Sequence, residues 1–262
     1  MDINFLNFGY LPTKNEMKLA VINEVIEVED NQIAHCYLYE KTLSLCPKYK
    51  QLAGATILDV GCGHLGGIRW LKRAHPEIKS ICGIDLVLPN KSNCFAFGEV
   101  KIGDALNIPY PSSSFDIIIN IESSHLYSDF DKFLHEANRV LKLGGYICWS
   151  DLRFATRMRA TLNSFDDAGF EMVKIEDITK QVIQGLAVTS KRYEKLLEKA
   201  PYFIRLFKNS VWRNTWTAPG TDSYKRFKKE KLYMSATFKK NQDIGAPSTQ
   251  ELSPEKFSRD SL

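Results

Sequence analysis

The apolar positions of this chain follow two different periods. Short, almost unbroken apolar runs occur at Thr56–Val60, Lys79–Asp85, Phe115–Ile121 and Tyr146–Asp151. Runs of that length bounded by turn formers are strands buried on both faces, as a parallel sheet requires. Between them, apolar residues recur every third or fourth position, which predicts helices. One follows residue 67 and stops at Ala74, before Pro76. Another covers Asp131–Leu141, with Phe133, Leu134, Ala137, Val140 and Leu141 inward and Gly144-Gly145 ending it. A third covers 157–168. Phe95–Phe97 with Val100–Ile102 predicts a short third strand, Phe170–Ile175 a sixth, and Leu232–Lys239 an alternating last one. Residues 15–50 read as helical behind an N-terminal arm at 1–12. No internal repeat is present.

This alternation predicts an α/β fold: an open, doubly wound, mostly parallel sheet of seven strands, with a helical cap inserted before the last strand. The expected organisation is an arm and helices at 1–50, a ligand-binding core at 51–177, a helical insert at 178–230, the last strand at 231–240 and a disordered polar tail at 241–262.

Composition adds bounds. The chain of 262 residues is 44% apolar and 25% charged, enough for a sizeable core. Its six cysteines (Cys36, Cys46, Cys62, Cys82, Cys94, Cys148) form no C-x-x-C pair, which points to reduced, mostly buried thiols, a cytoplasmic setting and no metal. The first residues lack the basic and apolar regions of a signal peptide, and no apolar run is long enough to span a membrane. Net charge is uneven: residues 1–190 carry 19 basic against 23 acidic groups, whereas 191–240 carry 14 against 4. The basic segment needs its own account.

The chemistry concentrates where the first strand ends, at Leu58-Asp59-Val60-Gly61-Cys62-Gly63-His64-Leu65-Gly66-Gly67. Glycines there permit a tight turn and close approach of a ligand to the backbone. Asp85 ends the next strand, placed for ribose hydroxyls. A pyrophosphate cofactor would find Asp59 repulsive. An acid at that point suits a cationic cofactor with an amino group and no phosphate, which S-adenosylmethionine is. Four clusters follow strands and line one expected crevice: Asp59/Gly61/Gly63, Asp85/Leu86, Asp104/Ala105 and Asn120–Ser123. Asp104 has a competing reading as an ordinary helix cap, which ranks below the ligand reading.

The motifs LDVGCG (58–63), GID (83–85), GDA (103–105), FDIIINIE (115–122) and RVLKLGGYI (139–147) resemble those of class I S-adenosylmethionine-dependent methyltransferases. CGH-x-GG (62–67), NIESSHLY (120–127), WSDLR (149–153) and the stretch 220–240 resemble, more narrowly, the phthiotriolone and phenolphthiotriolone dimycocerosate methyltransferases and neighbouring small-molecule O-methyltransferases. The likeness covers roughly 5–240; Leu65 departs from it, standing where such families carry glycine. It implies a Rossmann-like fold and a set of cofactor roles. Asp59, with the backbone of Gly61, Cys62 and Gly63, would hold the methionine amino group. Asp85 would take the ribose, with Leu86 against the adenine. Asp104 and Ala105 would meet the adenine amino group. Asn120 would line the methionine side, and Tyr10 of the arm would close over the cofactor.

Methyl transfer to an alcohol needs the nucleophile aligned and its proton removed. His125, just past the fourth strand, is the candidate base, and Asp151, ending the fifth, the carboxylate that fixes its tautomer. The competing reading is that His125 caps a turn and shapes the pocket. Glu122 would orient cofactor or substrate. His64, in the glycine turn, would touch the cofactor; His35, His75 and His135 would be surface or packing residues. In the insert, aromatic and aliphatic residues, Trp212 and Trp216 among them, alternate with Lys and Arg. A packed cap with a solvated basic face explains this. So does an apolar cap that receives a lipid chain, its basic rim on an anionic membrane surface. Nucleic acid ranks below both, because the aromatics recur at helical spacing. The expected activity is O-methylation of a hydrophobic small molecule, lipid or polyketide-like. N- or C-methylation, or a non-catalytic cofactor-binding subunit of a methyltransferase complex, stay open as alternatives.

Overall fold

The computed structural model describes residues 5–13, 32–87, 99–198 and 219–243. Seven strands form one sheet: β1 (Thr56–Val60), β2 (Ser80–Asp85), β3 (Val100–Ile102), β4 (Phe115–Ile121), β5 (Leu141–Phe154), β6 (Phe170–Asp177) and β7 (Lys231–Lys240). Six helices accompany them among the described residues: α1 (Ile33–Ser44), α2 (Gly66–Ala74), α3 (Phe130–Val140), α4 (Ala155–Asp167), α5 (Thr179–Glu198) and α6 (Asp222–Glu230). The strand order is β3-β2-β1-β4-β5-β7-β6. Strands β1 to β5 pair in parallel, and β7 enters antiparallel between β5 and β6. The chain winds outward from β1 to β3 and then returns to place β4 beside β1. That reversal opens a crevice at the carboxyl ends of β1 and β4.

Successive residues of the central strands face opposite layers. Ile57, Ile117 and Ile119 pack with Leu38 of α1, Ile68 of α2 and Val182 of α5. Leu58, Ile118 and Ile147 pack with Phe133 of α3 and Phe165 of α4. Ile57, Ile117, Ile118 and Ile119 are fully buried, each contributing about 1.5–3 kcal/mol. This two-sided burial is why β1 and β4 read as unbroken apolar runs.

The helices carry local signals at their ends. Asp129 caps α3 by accepting from Lys132 N at 2.9 Å, and Thr221 caps α6 by accepting from Tyr224 N at 3.1 Å. The expected end of α3 at Gly144-Gly145 is corrected: the helix stops at Val140, and Leu141 is already extended (φ −74°, ψ 141°). The two glycines instead bend the first part of β5, Gly144 at φ 74°, where its pairing with β4 shifts register. β5 also outruns its expected end, because Leu152, Arg153 and Phe154 pair with Tyr233, Leu232 and Lys231 of β7. The expected strand at 95–97 and helix at 15–31 lie outside the described residues.

Candidate active site

At the end of β1 the chain turns through Gly61 at φ 78° and Gly63 at φ 51°. A Cβ on Gly61 would sit 2.5 Å from Ser123 Cβ, so only glycine fits between this turn and the loop after β4. Gly61 N and Cys62 N both donate to Ile84 O, at 2.9 and 3.1 Å, fastening the turn to β2. Gly63 N and Val87 N donate to the two oxygens of Asp85, at 2.8 and 3.1 Å. The half-buried Asp85 is thereby fixed, and each oxygen keeps acceptor capacity. Leu65, in the glycine position of the resemblance, adopts φ 66° at the start of α2 and is fully buried. Its burial outweighs the roughly 1 kcal/mol of left-handed strain.

Asp59 is fully buried. Its Oδ2 accepts from Tyr39 Oη at 3.1 Å, and its Oδ1 has no partner among the described residues. Burial pushes the Asp59 carboxyl up to about 7; the Tyr39 bond works against this, and the Asp85 charge adds to it. An orphaned carboxylate oxygen beside a glycine turn is an acceptor suited to a cation. Sequence reasoning missed Tyr39. The available signal was the pair Gly66-Gly67, since a Cβ on Gly67 would lie 2.0 Å from the Tyr39 ring. Asn120 is also fully buried, its amide donating to Val60 O at 3.0 Å and Ser123 Oγ at 2.7 Å. It lies one layer beneath the crevice and sets the position of Ser123.

Two adjoining cavities occupy the crevice. One, about 230 Å³, is lined by the glycine turn, Asp85, Glu122, Ser123 and Leu6. His64 and Cys62 also border it. The other, about 170 Å³, is lined by Asp85, Leu86, Asp104, Ala105, Ser123 and Tyr127. Gly61, Asp85 and Ser123 border both. Asp104 Oδ1 accepts from Leu106 N at 2.8 Å, the turn-capping bond that its sequence position allowed. Tyr10 is in a different place from the one expected. It is 1% exposed in the apolar core, its N–H bonded to Ala34 O, and the arm meets the cavity through Phe5, Leu6 and Asn7 instead. His35 and His75 are buried packing residues. Trp212 and Trp216 lie outside the described residues.

His125 and Asp151 do meet. His125 Nδ1 is 2.7 Å from Asp151 Oδ1, and the carboxylate is fully buried. Asp151 Oδ2 accepts from Ser124 Oγ at 2.7 Å and His125 N at 2.9 Å, and Arg153 stands 3.0 Å away. Burial alone would raise the Asp151 carboxyl; the hydrogen bond and charge of His125, then Arg153 and Ser124, outweigh it and hold it below the usual range. An ionised carboxylate only accepts, so Nδ1 carries the proton and a neutral ring keeps its lone pair on Nε2. His125 lines a third cavity, about 590 Å³, which touches the second through Tyr127. Glu122, by contrast, lines the first. Its Oε1 accepts from Phe8 N and Tyr233 Oη, both at 2.8 Å, and burial raises its carboxyl to about 8.

Comparison with known proteins fits this geometry. Residues 58–149 match the family model described as a methyltransferase domain. The chain is 34% identical over 211 residues to the phthiotriol/phenolphthiotriol dimycocerosates methyltransferase of Mycobacterium leprae, covering 78% of this chain and 74% of that one. The chain belongs to the class I S-adenosylmethionine-dependent methyltransferases. A second relative, the fatty-acid O-methyltransferase of Mycolicibacterium smegmatis, is 31% identical over 78% of this chain and 73% of its own. Among solved structures, geranyl diphosphate C-methyltransferase from Streptomyces coelicolor, held with S-adenosyl-L-homocysteine, shares the fold at a TM-score of 0.58 and 15% identity, covering 90% of this chain and 89% of that one. The cofactor of this methyltransferase is S-adenosylmethionine, and the crevice at the β1/β4 switch is where the fold places it.

Proposed function

We propose that this methyltransferase methylates an oxygen of a hydrophobic small molecule, with His125 as general base and Asp151 as the residue that orients it. The 2.7 Å bond between them, with Asp151 wholly buried, carries the reading. The names of both curated relatives fit a lipid acceptor. When bound, the cofactor supplies a methyl group already activated on a sulfonium. The chain's residues must then hold it, align the acceptor and take one proton. In this reading the partnerless Asp59 Oδ1 takes the cofactor's amino group beside the backbone of Gly61, Cys62 and Gly63. Asp85 takes the ribose hydroxyls, and Leu86, Asp104 and Ala105 border the adenine. His125 Nε2 receives the acceptor's proton, and buried Asp151 stabilises the resulting imidazolium.

Methyl transfer from labelled S-adenosylmethionine into a cell extract, fractionated into lipid, polar, RNA and protein pools, tests this. Label is expected in the lipid pool. His125→Ala lowers it about a hundred- to ten-thousand-fold while cofactor affinity is kept. Turnover intact in both His125→Ala and Asp151→Asn would remove the base assignment, and label in RNA or protein would replace the substrate class.

A second reading is favoured by one observation: Glu122 lines the same cavity as the glycine turn, and His125 the neighbouring one. With its carboxyl raised to about 8, Glu122 holds its proton at neutrality and becomes the base as pH climbs toward that value, so turnover by this route rises on the alkaline side. In that case Glu122→Gln, not His125→Ala, abolishes turnover.

The exposed Lys225, Lys228 and Lys229 of α6 support a peripheral contact with anionic membrane on the cytoplasmic side. Among the described residues no helix is long and apolar enough to cross a membrane. Failure to float with anionic vesicles at low salt would remove the membrane contact.

A further inference from the structure

The third cavity has a charge pattern that neither cofactor binding nor proton transfer requires. Besides His125, its walls carry Arg153, Arg157 and Lys231, against one carboxylate, Asp131, at the exposed start of α3. Arg153 is answered within the protein, with Asp151 at 3.0 Å and Ser124 Oγ at 2.9 Å. Arg157 and Lys231 form no ion pair among the described residues. Lys231 is half-buried, its Nζ 5.2 Å from the centre of the Phe154 ring. Burial and the neighbouring Arg226 draw its pKa down, while Asp151 and Glu230 oppose them, as for a cation without a partner in contact. Leu152, Phe130 and Phe154 supply apolar wall to the same space.

Two unanswered cations beside apolar wall favour an anion attached to a hydrophobic body. A free inorganic anion would leave the aromatic wall unused, and a neutral long-chain alcohol would leave the half-buried Lys231 without a counter-charge, while the exposed Arg157 reaches the same space from the solvent side. His125 borders this cavity too, so an oxygen offered to it and an anion held by Arg157 and Lys231 can belong to one molecule. We propose that this cavity binds the anionic end, carboxylate or phosphate, of an amphipathic acceptor, with Arg157 and Lys231 as its counter-charges. The inference rests on the reading above, in that His125 faces the acceptor.

The test is calorimetric titration of the full chain with dodecanoate, dodecanol and inorganic phosphate, alongside S-adenosylmethionine. Dodecanoate is expected to bind about tenfold or more tighter than dodecanol. In the double variant Arg157→Gln/Lys231→Gln that preference collapses, while affinities for dodecanol and for the cofactor stay at wild-type values. Equal binding of dodecanoate and dodecanol, or a preference that survives in the double variant, would overturn the proposal. So would inorganic phosphate binding as tightly as dodecanoate, since the apolar wall would then contribute nothing. The two levels fail separately. A wild-type chain that binds the cofactor and methylates neutral alcohols without charge preference retires this proposal alone. A chain inactive toward any oxygen acceptor retires the reading beneath it.

Discussion

Asp59 is completely buried, and burial holds its carboxyl at about 7. An unfolded aspartate titrates near 4, so the folded chain binds this proton more tightly than the unfolded one. The ionised form present at higher pH therefore costs folding a few kcal/mol. That cost is absent near pH 4 and complete above about 7. Asp59→Asn is expected to raise the Tm at pH 8, to leave it unchanged near pH 4, and to abolish the rise in Tm that S-adenosylmethionine produces in the wild type. Thermal melts at the two pH values, with and without cofactor, check this. A variant still stabilised by the cofactor would show that Asp59 does not hold it. Tyr39→Phe removes a bond that lowers the same carboxyl. The pH below which cofactor affinity falls should then move upward from about 7, as titrations across that range would show.

At the scale of elements, the N-terminal arm closes the first cavity, and backbone contacts hold it there. Tyr10 N donates to Ala34 O of α1, Leu11 N to Gln181 O of α5, and Phe8 N to Glu122. Gly185 of α5 lets the arm lie flush on that helix, because a Cβ there would stand 2.5 Å from Gly9 backbone atoms. Backbone cannot swing aside as a flexible side chain can. Gly185→Ala is therefore expected to lift the arm, to destabilise the fold by about 1–3 kcal/mol, and to weaken cofactor binding by releasing Phe8 from Glu122. Denaturant melts and proteolysis near residues 5–13 measure the two effects; wild-type proteolysis with wild-type cofactor affinity would refute it. This arm also marks where legibility in the sequence ended. β1 and β4 were readable to the residue because strands buried on both faces are almost continuously apolar, so the acid within β1 and the glycines just past it stood out. The His125–Asp151 pair was readable because neighbouring parallel strands bring their carboxyl ends together. Tyr39 on Asp59, the buried position of Tyr10, the bend at Gly144 and the lengthening of β5 against β7 all depend on partners far along the chain. No local pattern encodes those contacts.

For the whole molecule, the shifted carboxyls divide into two sets with opposite pH behaviour. The half-buried Asp116, Glu136 and Glu176 and the fully buried Asp151 are drawn down by hydrogen bonds and cations that outweigh desolvation. Their stabilisation is present above the unfolded carboxylate range near pH 4 and is lost as pH falls through their lower folded values. Asp59 and Glu122 are pushed the other way, to about 7 and about 8, so their ionisation costs stability as pH rises through neutrality. His75 adds to this second set, at the end of the sheet away from the crevice. Burial alone would lower it, but its bond to Glu40 at 3.0 Å prevails and raises it. A histidine raised in the fold stabilises fully below its unfolded value near 6.5, and that contribution disappears as pH climbs through the raised value. Glu40 itself is fully buried, bonded also to Trp70 Nε1 at 2.7 Å and Tyr49 Oη at 2.6 Å, so the pair anchors α1 to α2. The cofactor-free chain should therefore be most stable near pH 5 and lose Tm toward pH 8. Saturating S-adenosylmethionine should flatten the alkaline side, since in the proposed site a cation answers the charge on Asp59. His75→Gln should remove only the part of the slope that begins above about 6.5, whether or not the cofactor is present. Melting curves at four or so pH values separate these contributions. A cofactor-free chain whose Tm rises from pH 5 to pH 8 would mean that the acids at the crevice are ionised without cost, and that Asp59 is already paired in the absence of cofactor.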